Sequence, residues 1–222
     1  PLGIMLLFEG IFVAAAWLEQ RRGGASQHPE VAALVMIGMG WLLGFVLLGC
    51  APVARRMEWC YGYLLAQSAA VLLLVWLRPR LMAAQAVAAG LCFLHLALWT
   101  GGYLNPDNLW AALALYLGFG ALHSVVPLLL VQRAPAAVDA KLPAKLWPWA
   151  AVVPLMLGLV CMLRLPEPPL AVWLVILLLN LLVVALVPRG GSVLPVLGGL
   201  LVTAGLAVVW VFTVPATQGS LG

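Results

Sequence analysis

Charged side chains are scarce in this sequence. They make up 8% of the 222 residues, whereas hydrophobic residues make up 65% and the mean hydropathy is +1.13. A soluble domain carries about 25% charged residues. The chain lacks the polar side chains to cover its surface in water, which excludes a soluble globular protein. We expect an integral membrane protein whose principal partner is the lipid bilayer.

Recognisable catalytic and ligand-binding motifs are also missing. No glycine-rich phosphate loop, zinc-ligand spacing, GxSxG elbow or CxxC pair occurs. The lysines and arginines lie between apolar runs, so no nucleic-acid partner is expected. A haem held by His95 and His123 is excluded because their estimated depths differ by about 13 Å. We therefore assign no catalytic residue, metal or cofactor, and we favour a non-catalytic role while leaving an enzyme open.

Long apolar runs dominate what is present. A membrane-spanning helix needs about 20 mostly apolar residues, and eight runs approach or exceed that length. They are Leu2–Leu18, Val31–Val53, Cys60–Leu77, Leu81–Thr100, Leu109–Arg133, Trp147–Leu165, Leu170–Val187 and Val193–Val214. The sequence predicts an all-α fold, a polytopic transmembrane bundle of about eight spanning helices.

The longest polar connection suggests a division of the chain. It predicts a five-helix part (1–133), a polar cytoplasmic linker (134–146), a three-helix part (147–214) and a polar tail (215–222). The apolar start contains Glu9 and no basic stretch, which does not fit a signal peptide. We expect the chain to be a segment of a longer protein, with further helices or other membrane subunits as partners.

Few polar side chains fall inside the apolar runs, and a rise of about 1.5 Å per residue gives their depths. Glu9, Gln67 and His95 form an outer layer at roughly 8–13 Å, in which His95 is the expected partner of Glu9. Gln85 and His123 form an inner layer at roughly 21–23 Å. These five residues are the candidate intramembrane polar site, because ionisable groups in lipid are costly. Simple interhelical hydrogen bonding remains the alternative.

Two further patterns concern helix packing. Asn180 and Thr203 both lie at roughly 15 Å depth on helices joined by a short turn, so we expect a hydrogen bond between them.

Tyr116, Gly120, His123 and Pro127 share one helical face. Since Pro127 leaves a backbone carbonyl without its donor, this face should meet protein and not lipid, with Gln85 as the neighbour of His123.

Three stretches resemble a known family. They are Leu94–Thr100 (LHLALWT), Phe119–Arg133 (FGALHSVVPLLLVQR) and Val172–Gly191 with the tryptophan of VVWVF. In their composition and general pattern they resemble very large multi-spanning bacterial membrane proteins of unknown function. The resemblance implies a segment of a larger protein in the bacterial inner membrane, and it supplies no catalytic residues.

Three functions are compatible with these features. The first is a scaffold or subunit within a larger membrane assembly, favoured by short loops and few intramembrane charges. The second is a transporter or permease, favoured by Pro127, Pro154 and the layered polar groups. The third is an intramembrane enzyme acting on a lipid-linked substrate, for which only Glu9 with His95 would qualify. A dry interior would favour the scaffold and a hydrated cavity the transporter.

The distribution of basic residues predicts the orientation, because cytoplasmic loops carry excess lysine and arginine. Connections after odd-numbered runs hold eight of the 11 basic residues. These are Arg21, Arg22, Arg78, Arg80, Arg133, Lys141, Lys145 and Arg189. The other side holds Arg55, Arg56 and Arg164. The odd-numbered connections should therefore face the cytoplasm.

This orientation is testable with a single cysteine at Asp139, in a variant whose four native cysteines are replaced. In intact cells the thiol should resist a membrane-impermeant maleimide and become reactive after permeabilisation. Strong labelling before permeabilisation would overturn the orientation.

Overall fold

The computed structural model describes residues 2–22, 28–133, 141–165, 169–190 and 193–213. Every regular element in these ranges is helical, and no strand occurs in them, which confirms the all-α class. The helices are α1 Leu2–Arg21, α2 His28–Leu48, α3 Ala51–Ala54, α4 Met57–Leu77, α5 Met82–Tyr103, α6 Leu109–Arg133, α7 Lys141–Arg164, α8 Leu170–Gly190 and α9 Leu194–Thr213. Single 3₁₀ turns, Pro79–Leu81 and Pro106–Asn108, precede α5 and α6.

Six of the described helical segments are long and apolar enough to cross a membrane. They are His28–Leu48, Met57–Leu77, Pro79–Tyr103, Pro106–Leu130, Leu170–Pro188 and Leu194–Phe212. The apolar stretch of α7, Trp149–Arg164, is shorter. These helices support an integral membrane protein, and the count of about eight crossings stays a prediction.

Proline and asparagine set several helix ends. The predicted second run ends early, at Leu48, and the short α3 that follows has Pro52 in its first turn, where a missing N–H costs least. Pro79 likewise follows the end of α4. Before α6, Asn105 and Asn108 each accept a hydrogen bond from the other's backbone N–H, at 3.1 and 2.9 Å. Asn105 therefore caps the 3₁₀ turn that leads into α6.

The predicted linker is only partly covered by the described residues. Residues 134–140 of the expected linker lie outside the described residues, and so does the tail. The helix α7 begins at Lys141, six residues before the expected start at Trp147. The chain forms two compact units, one of Pro1–His95 with Val126–Pro143, the other of Leu96–Val125 with Ala144–Gly222. The chain passes from one unit to the other within α5, within α6 and at Pro143/Ala144 in α7. The division at 134–146 stays a prediction.

The first unit is built around α2. Helices α1 and α4 both contact α2 and also contact each other. The face of α2 that meets them carries buried Gly40 and Gly44, the GxxxG spacing that permits close helix approach. The opposite face presents large apolar side chains such as Val35 and Leu42, suited to lipid.

The second unit is held by hydrogen bonds between helices and by close packing. Asn180 Nδ2 on α8 donates to Thr203 Oγ1 on α9 at 2.8 Å, so the structure brings this expected pair together. The Thr100 hydroxyl, 2.6 Å from the Leu96 carbonyl, also bonds the Tyr116 hydroxyl at 2.5 Å. A Cβ at Gly120 would lie 3.1 Å from both Pro154 and Leu179, so α6 approaches α7 and α8 closely there.

The Asn180–Thr203 contact should stabilise the α8–α9 pair by a modest amount. A double-mutant cycle with Asn180→Ala and Thr203→Val, read from unfolding in detergent, should give a coupling energy of about 0.6 kcal/mol. Strictly additive effects of the two substitutions would show that the bond contributes nothing.

Candidate functional site

The most unusual group in the first unit is the carboxylate of Glu9. It lies in the middle of α1 and is 1% exposed. Gln67 on α4 is also buried, and its Nε2 donates to both Glu9 oxygens, at 2.7 and 2.8 Å. In the described part of the chain, the ion pairs of the first unit involve Glu30, and no basic side chain neutralises Glu9. An acid is thus held inside the protein by an amide alone.

Gly40 on α2 makes this arrangement possible. A Cβ at position 40 would overlap Glu9 Oε1 and would lie 2.5 Å from Gln67 Nε2 and 2.8 Å from Gln67 Oε1. Only a residue without a side chain lets the acid and the amide meet against the α2 backbone. The GxxxG spacing therefore positions a polar pair as well as bringing helices together.

Tyr63 belongs to the same cluster. Its hydroxyl donates to the Gly40 carbonyl at 2.8 Å, and the side chain is buried. Tyr63 is not among the five residues predicted for the site from the sequence. One signal was available, since Tyr63 lies four residues before Gln67 and therefore on the same face of α4.

His95 lies one helical turn further along the glycine face of α2. A Cβ at Gly44 would be 3.5 Å from His95 Cε1 and 3.3 Å from Tyr63 Cε1. His95 is 2% exposed, and both of its ring nitrogens lack a hydrogen-bond partner. The expected pairing of Glu9 with His95 is therefore wrong. The Glu9 carboxyl is hydrogen-bonded to Gln67 instead, and the imidazole packs beside Phe45, with ring centroids 5.4 Å apart.

The inner layer is buried too. Gln85 and His123 are almost fully inaccessible, and His123 stacks on Phe119 with ring centroids 6.3 Å apart. The stripe mates Tyr116, Gly120 and Pro127 are likewise buried, so this face meets protein as expected. The two inner-layer residues belong to different compact units, and their pairing stays a prediction.

The first unit also contains an ion-pair cluster that was not predicted from the sequence. Glu30, near the start of α2, is buried and lies 2.6 Å from Arg78 Nε and 2.5 Å from Arg80 Nη2. No local pattern could predict this cluster, because Glu30 and Arg80 are 50 residues apart in the sequence. The cluster ties the start of α2 to the end of α4 on one side of the unit.

The described residues contain no group of three or more histidine, cysteine or acidic side chains that could hold a metal ion. Comparison with known proteins adds no assignment, because no family model, curated protein or solved structure matches the chain.

The fit of Gly40 against the acid–amide pair predicts a large effect from a small substitution. Gly40→Ala should destabilise the protein by about 1–3 kcal/mol, because the ends of the Glu9 and Gln67 side chains would have to move and give up their buried hydrogen bonds. Gly38→Ala is the matched control on the same helix, because a Cβ there meets nothing within 4 Å. Unfolding in detergent should separate the two variants, and equal stability would contradict the close approach at Gly40.

Proposed function

We propose that the chain is part of a membrane transport protein that binds a proton or a small cation at Glu9. The observation that carries this proposal is a fully buried carboxylate whose described polar partner is the Gln67 amide. Ionisable groups inside membrane helices are expensive and typically mark ion or substrate pathways. For packing alone, an uncharged side chain would serve at lower cost.

The Gln67 amide suits both protonation states of Glu9. An ionised carboxylate only accepts hydrogen bonds, and the amide NH₂ supplies them. A protonated carboxyl also donates, and Gln67 Oε1 is a buried acceptor that has no partner in the structure. Rotation of the amide would present that oxygen to the proton. A partner that works in either state is what a reversible proton site needs.

His95 supplies a second titratable group close to the first. Gly40 and Gly44, against which Glu9 and His95 pack, are four residues apart, or about 6 Å along α2. Buried polar groups are nearly always hydrogen-bonded, and both nitrogens of this imidazole are open. In the proposed function, water or the transported ion bonds this ring after leaving Glu9.

A scaffold within a larger membrane assembly is the second candidate. The hydrogen bonds from Tyr63 to Gly40 and between Asn180 and Thr203 favour it, because they join helices without any titratable group. In that case the Glu9–Gln67 pair is one more interhelical contact. Location in the bacterial inner membrane, and kinship with the very large multi-spanning proteins, are proposals that rest on the sequence resemblance.

Glu9→Gln separates transport from scaffolding. An amide at position 9 keeps the size and hydrogen-bonding capacity of the side chain but cannot bind a proton or neutralise a cation. Purified protein in vesicles loaded with ion-sensitive dyes should carry H⁺, Na⁺ or K⁺ down an imposed gradient. Glu9→Gln should reduce that flux at least about tenfold, the scale of losing one charged contact, with little change in melting temperature.

Glu58→Gln is the control, since Glu58 is exposed at the start of α4, and it should retain the wild-type flux. Wild-type vesicles no more permeable than empty ones, or equal fluxes for wild type and Glu9→Gln, would overturn the transport proposal. A large loss of stability in Glu9→Gln with unchanged flux would favour the scaffold.

A further inference from the structure

A groove runs between α1 and α4 on the first unit. Its volume is about 540 Å³, within the range of small-molecule sites. Glu9 forms part of its wall, and every other lining residue is apolar. The lining residues are Leu6, Glu9, Gly10, Val13, Ala14, Trp17, Ala66, Ala70, Leu73 and Leu77.

Small residues on both helices create the groove. Gly10 and Ala14 on α1 line it together with Ala66 and Ala70 on α4. A Cβ at Gly10 would meet nothing within 4 Å, so the space is open and not filled by a neighbouring side chain. Gly10 and Ala14 are exposed, which places the opening on the side that a membrane would cover.

The length of the groove matches one lipid leaflet. Leu6 and Trp17, its two ends on α1, are separated by a rise of about 16 Å. Half of the hydrocarbon core of a bilayer is about 15 Å. An apolar slot of this length, open to the side, fits an extended acyl chain better than it fits a ligand that arrives from water.

One end of the groove is positively charged. The Arg21 guanidinium lies 4.0 Å over the Trp17 ring, and Arg21 continues the groove face of α1 because it follows Trp17 by four residues. On α4 the lining ends at Leu77, which is followed by Arg78 and then Arg80.

Nearby acids do not cancel this charge. The carboxylate of Glu30 is buried and shared by Arg78 and Arg80, so one negative charge faces two positive charges. Glu19 lies about 200° around α1 from Arg21, on another face. Glu9 lies in the wall eight residues from Trp17, away from the charged end.

We infer that this groove binds an anionic phospholipid, with one acyl chain between α1 and α4 and the phosphate group at Arg21, Arg78 and Arg80. Guanidinium groups bind phosphate oxygens in a bidentate manner. Basic clusters at the membrane surface select anionic over zwitterionic lipids. The inference is independent of ion binding at Glu9, since it depends on the apolar lining and on the arginines at its end.

The test uses the full chain, delipidated in detergent, with phosphatidylglycerol as the probe and phosphatidylcholine as the zwitterionic comparison. Native mass spectrometry should show one phosphatidylglycerol retained per chain and markedly less phosphatidylcholine. Arg21→Gln should weaken phosphatidylglycerol binding about fivefold, the effect of one basic residue near the surface. Ala70→Leu, which fills the groove, should weaken binding of both lipids.

Arg55→Gln is the matched control, because it removes the same charge from an exposed residue that does not line the groove and that precedes α4, whereas the basic end of the groove lies where α4 ends. It should leave lipid binding unchanged. Equal retention of the two lipids, an Arg55→Gln effect as large as that of Arg21→Gln, or full binding by Ala70→Leu would overturn the inference. The ion-flux result for Glu9→Gln does not bear on any of these outcomes.

Discussion

The close approach of three helices at Gly40 is the constraint on which the first unit depends. With no side chain at this position, the Glu9 carboxyl on α1 and the Gln67 amide on α4 meet against the backbone of α2. The Tyr63 hydroxyl then reaches the Gly40 carbonyl. Since lipid supplies no hydrophobic drive between helices, close packing and interhelical hydrogen bonds must hold them together.

The same packing buries an acidic side chain without a basic partner among the described residues. Burial removes Glu9 from water, while Gln67 offers hydrogen bonds but no opposite charge. One turn along α2, the His95 ring is buried with both nitrogens open. A carboxyl and an imidazole with incomplete partners, packed against the same face of α2, distinguish this region from ordinary helix packing and are the basis of the proposed ion site.

In the second unit, uncharged polar side chains form hydrogen bonds between helices. Asn180, Thr203 and Thr100 each bond a neighbouring helix and also a carbonyl on their own helix. Such pairs contribute little free energy each and carry no charge. The contrast with Glu9 and His95 is the reason to look for function in the first unit.

The sequence alone determined the class of protein and the height of its polar groups. Hydropathy defined the helices, and the rise per residue placed Glu9 with Gln67 and Asn180 with Thr203, pairs that the structure brings together. Only the tertiary structure decided that Gln67 and not His95 meets Glu9, and that Glu30 binds two arginines from the end of α4. Depth along a helix follows from counting residues, but the neighbour that a side chain faces depends on helix rotation and on side-chain volume at the contact. Gly40 shows this most clearly. The absence of a Cβ at this position leaves the space in which Gln67 reaches Glu9, and the periodicity of the sequence does not reveal that contact.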